Sequence, residues 1–204
     1  MILNIVLSAL DGELSAQWRR HCGDLPGVKL HDGSILDLEV DAVVSPANSF
    51  GFMDGGIDLE YTRRFGSKVQ KRLQLLIREK HHGELLVGAA EIVPTDDGRI
   101  PFVIAAPTMR VPMILGETVN PHLAARAALL LAKRRASSGI RSIAFPGLGT
   151  GIGRVPAGVC ARQMKAAIEE VVLGKGSFPA SWDDAQEKHQ LLYTSRVRDL
   201  QEVA

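Results

Sequence analysis

Two patterns alternate along the chain. Short apolar runs, rich in β-branched residues, are separated by longer stretches in which apolar positions recur at helical spacing. The runs Ile2–Leu7, Val28–His31, Val40–Ser45, Leu85–Val93, Pro101–Ala106 and Ser142–Phe145 are predicted strands. Apart from Val28–His31, where Lys29 and His31 alternate with Val28 and Leu30, they are mostly apolar, the pattern of strands covered on both faces. Glu13–Cys22 reads as a helix ended by Gly23. A second helix starts where Ser67 and Gln70 stand at capping-box spacing, places Val69, Leu73, Leu76 and Ile77 on one face, and stops at Gly83. Asn120-Pro121 reads as a cap followed by a first-turn proline, with Gly139 closing that helix. Pro156 opens another, striped by Cys160, Met164, Ala167, Ile168 and Val171 and ended by Gly174. Strands interleaved with helices predict a three-layer α/β/α fold with a mostly parallel mixed sheet over residues 1–174. Residues 175–204 read as an extension packed on or following that domain, a polar helical tail after Gly-Lys-Gly-Ser-Phe-Pro.

Composition narrows the function classes. The 204 residues carry 24 Lys plus Arg against 23 Asp plus Glu, a net charge of +1 that offers no field for coating nucleic acid or an anionic membrane. Aromatics are 5% of the chain against 20 glycines, which favours backbone-rich loops over an aromatic stacking platform. Cys22 and Cys160 stand far apart in no paired spacing and read as reduced thiols, so the cytoplasm is the expected compartment. The apolar N-terminal run lacks a basic flank and is too short for a signal peptide or a membrane span. No membrane partner is expected, and a monomer is.

Two loops stand at predicted strand ends, where open α/β sheets bind ligands. The first runs from Asn48 through Asp54, Gly55, Gly56, Ile57 and Asp58. The second holds Gly147, Gly149, Gly151 and Gly153 at alternate positions after Pro146. Such glycines free backbone N–H groups for an anion. Familiar phosphate, zinc and nucleophile-elbow motifs do not occur, and no metal or redox cofactor is expected. His81-His82 reads as a solvated pair, the basic run Arg63, Arg64, Lys68, Lys71, Arg72 as a solvated helix face, and Cys160 as core.

Together the two loops resemble the macrodomain family of ADP-ribose-binding modules. Asp41-Ala-Val-Val-Ser-Pro-Ala-Asn48 is similar to the family's strand and Asn-Ala-Ala-Asn segment. Asn48, six residues, then Gly55-Gly56-Ile57-Asp58 resembles the motif of MacroD-type hydrolases. Ser142-Ile-Ala-Phe-Pro-Gly-Leu-Gly-Thr-Gly-Ile152 resembles the family's second loop, and the likeness spans residues 28–173. There are departures. The family's Gly-Asp-Ile-Thr, whose Asp contacts adenine, is Gly33-Ser34-Ile35-Leu36 here, with Asp32 as a substitute carboxylate. The aromatic that follows Thr-Gly-Ile is Gly153, which leaves Phe50 or Phe52 to refill its place. The first Asn is Ser45, and Leu59 follows Asp58.

The resemblance implies ADP-ribose, or an ADP-ribosylated macromolecule, as partner, with nucleic acid only if so modified. It places the diphosphate against Gly149, Thr150, Gly151, Ile152, Gly153 and the Gly55-Gly56 loop. Asp32, Ser34, Ile35, Ala47, Ile57, Pro146 and Gly147 complete the implied lining. Asn48 would hold hydroxyls of the distal ribose, and Asp58 would orient or activate water for attack at the anomeric carbon or on an ester carbonyl attached to that ribose, releasing ADP-ribose from modified Asp or Glu, or acetate from O-acetyl-ADP-ribose. Capping a helix over Leu59–Arg64 is the alternative role for Asp58. The alternatives to hydrolysis of such esters are a non-catalytic ADP-ribose reader and an ADP-ribose 1″-phosphate phosphatase.

Overall fold

The structure, a computed structural model, describes residues 3–46, 48–136 and 139–198. Its order is β1 (Asn4–Ala9), α1 (Gly12–Cys22), β2 (Val28–Asp32), β3 (Ala42–Ser45), α2 (Gly56–Phe65), α3 (Lys68–Lys80), β4 (Glu91–Pro94), β5 (Phe102–Ala105), α4 (Asn120–Arg134), β6 (Ser142–Phe145), α5 (Ala157–Val171) and α6 (Trp182–Leu191), with a short 3-10 turn at Ile35–Asp37. The strands form one sheet in the order β2-β1-β6-β3-β5-β4. All neighbours are parallel except β4 and β5.

The apolar runs are explained by coverage on both faces. Side chains alternate along a strand, so Ala42 and Val44 join the core under α1, α4 and α5 while Val43 joins the core under α2 and α3. In β6, Ile143 and Phe145 go to the first layer and Ala144 to the second. Cys160 is fully buried on the expected stripe of α5, and Cys22 is buried as the last residue of α1.

Several local expectations are corrected. Ser67 precedes α3 with helical rather than extended backbone, so its hydroxyl makes no capping bond, and the Gln70 side chain turns away, its Oε1 accepting the Met53 N–H at 2.7 Å. Asn120 is already helical, and its amide donates to the Thr108 carbonyl at 2.8 Å instead of capping α4. Leu85–Val93 is not one strand: a turn with Gly88 at φ 94° interrupts it, and only Glu91–Pro94 pairs. The basic run is largely paired, Arg64 with Asp97 and both Lys68 and Arg72 with Asp96. His81 is bonded to Glu91 at 3.0 Å rather than solvated. Residues 182–191 of the extension are helical as expected. No helix among the described residues is long and apolar enough to cross a membrane.

Candidate functional site

The carboxyl ends of β1, β2, β3, β5 and β6 open into one cavity of about 510 Å³. Its two glycine-bearing walls follow β3 and β6.

The wall after β3 is held from below. The Asn48 side-chain Oδ1 accepts the N–H groups of Phe50 and Phe52, at 3.1 and 3.3 Å, and its Nδ2 donates to the Phe52 carbonyl at 2.9 Å. Gly51 adopts φ 68°, and a Cβ there would meet Ile77 at 2.9 Å, so the loop lies flat on α3. Thr62 donates to the Met53 carbonyl at 2.7 Å. The chain then enters α2 at Gly55, which brings no side-chain cap. Among the described residues, the N–H groups of Gly55, Gly56, Ile57 and Asp58 have no acceptor, and all four residues line the cavity. These are the orphan donors of a helix N-terminus, directed at a place for an anion.

The wall after β6 repeats the arrangement without a helix end. Pro146, Gly147, Gly149, Thr150, Gly151, Ile152 and Gly153 line the cavity. Among the described residues, the N–H groups of Gly147 and of Gly149 to Gly153 donate to no backbone acceptor, while that of Leu148 turns away from the cavity to the Cys160 sulfur. Closure comes from outside the run: Arg154 and Val155 donate to the Gly151 and Gly149 carbonyls, both at 3.0 Å. A Cβ on Gly153 would stand 2.5 Å from the Gly149 carbonyl and 2.8 Å from Leu115. A side chain at position 153 therefore has no room here, because the Gly149 carbonyl and Leu115 crowd the place of its Cβ. Phe52 lines the cavity, whereas Phe50 lies under the Arg110 guanidinium, 5.2 Å from its ring centre.

Asp58 corrects the capping alternative. The helix begins two residues earlier, so Asp58 stands in the first turn with its side chain turned inward and caps nothing. Its Oδ1 accepts the Ser45 hydroxyl at 2.5 Å. Burial pushes its carboxyl up to about 7, the Ser45 hydrogen bond pulls it down, and the neighbouring Asp54 charge adds to the rise. A carboxyl poised there exchanges protons at neutral pH.

The opposite end is built from β1 and β2. Ser34 and Ile35 line it, and the Ser34 hydroxyl accepts the Leu36 N–H at 3.2 Å. Asp32 does not line it: its carboxylate is engaged by Ser15 and Arg19. The carboxylate present is Asp11, which caps α1 through the Glu13 N–H at 2.9 Å. Ala47 lies outside the described residues. Sequence reasoning missed Ser8, Asp11, Thr108 and Met109, which line the cavity at the ends of β1 and β5. The strand-end rule alone would have found them, since no glycine cluster marks those ends.

Asp11, Asp54, Asp58 and Glu60 line the cavity, and among the described residues no lysine, arginine or histidine does. An anion bound here meets neutral N–H donors, which accept phosphate geometry without adding net charge. The described residues contain no cluster of side chains suited to hold a metal ion.

Comparison with known proteins agrees with this arrangement. An uncharacterized protein of Aquifex aeolicus is 37% identical over 146 residues, spanning 71% of this chain and 80% of that one. A Macro domain-containing protein of Caldanaerobacter subterraneus is 31% identical over 148 residues, 72% of this chain and 82% of its own. Among solved structures, a mutant of the Oceanobacillus iheyensis macrodomain with ADP-ribose superposes with a TM-score of 0.60 at 21% identity, covering 79% of this chain and 89% of that one. The Macro domain family profile matches residues 44–164, which carry both glycine walls and Asp58, and the chain belongs to the Macro domain family.

Proposed function

We propose that the cavity binds ADP-ribose and hydrolyses the ester joining its distal ribose to a carboxylic acid, on a protein side chain or as an acetyl group. The observation that carries the reading is the convergence of two runs of unpartnered N–H groups, Gly55–Asp58 and Gly149–Gly153, on one cavity that also holds a buried carboxyl titrating near neutrality. The N–H runs suit a diphosphate. The ADP-ribose in the Oceanobacillus iheyensis macrodomain supports the choice of nucleotide.

In the reaction, Asp58 as carboxylate takes a proton from water while the water oxygen forms a bond to the ester carbonyl carbon. The acyl–oxygen bond then breaks, and the ribose oxygen leaves with the proton that Asp58 returns, which regenerates the carboxylate. General-base assistance of this kind contributes about 10²–10⁴-fold. The hydrogen bonds of Asn48 to Phe50 and Phe52 hold the loop beside the distal ribose, and its second amide hydrogen remains for a ribose hydroxyl. One observation favours a non-catalytic reader as the second reading: the Asn48 amide group is largely committed to its own loop. The 1″-phosphatase reading is weakened by Asp54 and Asp58, which repel a further phosphate.

Calorimetry with ADP-ribose tests binding, with micromolar or tighter affinity expected and adenosine or ribose alone far weaker. Incubation with a peptide ester-linked to ADP-ribose tests hydrolysis. Binding without release selects the reader, and no binding at millimolar ADP-ribose defeats both.

A further inference from the structure

The end of β3 is joined to the first two turns of α2 by two side-chain hydrogen bonds. The Tyr61 hydroxyl donates to the Val44 carbonyl at 3.0 Å, and one residue further the Ser45 hydroxyl donates to Asp58 Oδ1 at 2.5 Å. Tyr61 and Ser45 are both fully buried. Tyr61 fixes the distance between strand and helix, and Ser45 fixes the carboxyl within that frame. Asp58 Oδ2, by contrast, has no hydrogen-bond partner among the described residues, and Asp58 lines the cavity. One oxygen is thus held by the scaffold and the other is left for whatever occupies the cavity.

We infer that Ser45 is a positioning residue for the reaction: its hydroxyl holds Asp58 Oδ1 and thereby reserves Oδ2 for the attacking water. The inference rests on the hydrolase reading above. The strand context makes this anchor rigid. Ser45 is the last residue of β3 and lies in register with Ala105 of β5, so its backbone is held by the sheet. A rigid donor to one oxygen has two effects. It limits the rotation of the carboxyl, so a single geometry meets the water. It also favours the charged form against the burial that opposes it. The other ionisable groups bearing on Asp58 are Asp54, whose charge raises its affinity for a proton, and the buried Tyr61 hydroxyl, which stays neutral and is committed to Val44. Glu60 also lines the cavity and is paired with Arg63. Ser45 is therefore the one side chain in the described structure that pulls the Asp58 carboxyl toward ionisation.

The test follows the Asp58 carboxyl by ¹³C NMR titration alongside the pH profile of kcat in the full chain, for wild type, Ser45→Ala and Ser45→Thr. A hydrogen bond to a charged group of this type shifts a carboxyl by about one pH unit. In Ser45→Ala the Asp58 titration and the acidic limb of kcat are expected to rise together by about one pH unit, lowering turnover below that limb about tenfold, with KM for the ADP-ribosyl peptide little changed. Ser45→Thr retains the hydroxyl and is expected to return both midpoints to the wild-type position. Should Ser45→Ala fail to fold, the near-isosteric Ser45→Cys, a weak donor, is expected to move both midpoints the same way. An active wild type whose limb and Asp58 titration are unmoved in Ser45→Ala or Ser45→Cys overturns the inference, because a merely structural serine lowers the melting temperature and leaves both midpoints in place. A wild type that binds ADP-ribose but releases none overturns the hydrolase reading, and the positioning role with it.

Discussion

Asp58 is a destabilising residue by the logic of its surroundings, and replacing it exposes the cost. In the folded protein its carboxyl titrates near 7, against an ordinary 3.8. Between those values the unfolded chain has released the proton and the folded protein still holds it. Stability therefore falls as pH rises through that window, by about 1.4 kcal/mol per pH unit, and the loss is complete above pH 7. The window of about three units corresponds to about 4 kcal/mol, an upper bound because water entering the cavity relaxes the burial. Asp58→Asn keeps the shape and still accepts the Ser45 hydroxyl, yet has no charge to desolvate. The variant is expected to gain about 2–3 kcal/mol on the wild type between pH 5 and pH 8. At pH 8 this amounts to a melting temperature about 5–10 °C higher for a chain of this size. Urea denaturation of both proteins at the two pH values measures the difference, in which titrating groups not coupled to Asp58 cancel. Parallel stability curves with no pH-dependent gap, or a gap that closes with rising pH, would refute the claim that burial holds this carboxyl up. The same variant is expected to release ADP-ribose at least tenfold more slowly, so stability and activity separate in opposite directions.

Other outcomes follow from the two walls. A Cβ on Gly151 meets nothing within 4 Å, so Gly151→Glu is expected to fold with an unchanged circular dichroism spectrum while its carboxylate abolishes ADP-ribose binding by calorimetry. Gly153→Ala forces a methyl group against the Gly149 carbonyl and Leu115, a clash that costs about 1–3 kcal/mol by overpacking and is read as a lower melting temperature together with weaker ADP-ribose binding. Asp54→Asn removes the charge that adds to the rise at Asp58, so the acidic limb of turnover is expected to move to lower pH.

The layers of the fold were legible because physics writes them redundantly. A strand covered on both faces must be apolar at every position, and Val43, Val44, Ile143 and Phe145 satisfy that without reference to distant residues. The glycine walls were legible for a similar reason, since an N–H cradle leaves little choice of residue. The misreadings fall where a polar side chain had two possible partners. Gln70 and Asn120 have the spacing of caps, but each bonds a loop that comes near only after folding, at Met53 and Thr108. Asp32 looked available as a ligand carboxylate until α1 brought Ser15 and Arg19 against it. Asp58 had the look of a cap because local sequence cannot show that β3 passes beside it and supplies Ser45. The glycine at 153 likewise makes sense only once the fold brings Leu115, thirty-eight residues earlier, and the Gly149 carbonyl against the place of its Cβ.

The central claim is that Asp58 acts on water within an ADP-ribose cavity, and single-turnover release from an ester-linked ADP-ribosyl peptide by wild type and Asp58→Ala tests it most directly. ADP-ribose affinity is measured calorimetrically on the same preparations. A group that acts mainly in the transition state affects rate more than ground-state affinity. The expected result is a rate at least tenfold lower in Asp58→Ala, with ADP-ribose affinity reduced by far less. Equal rates in the two proteins, with ADP-ribose bound by both, would contradict the account.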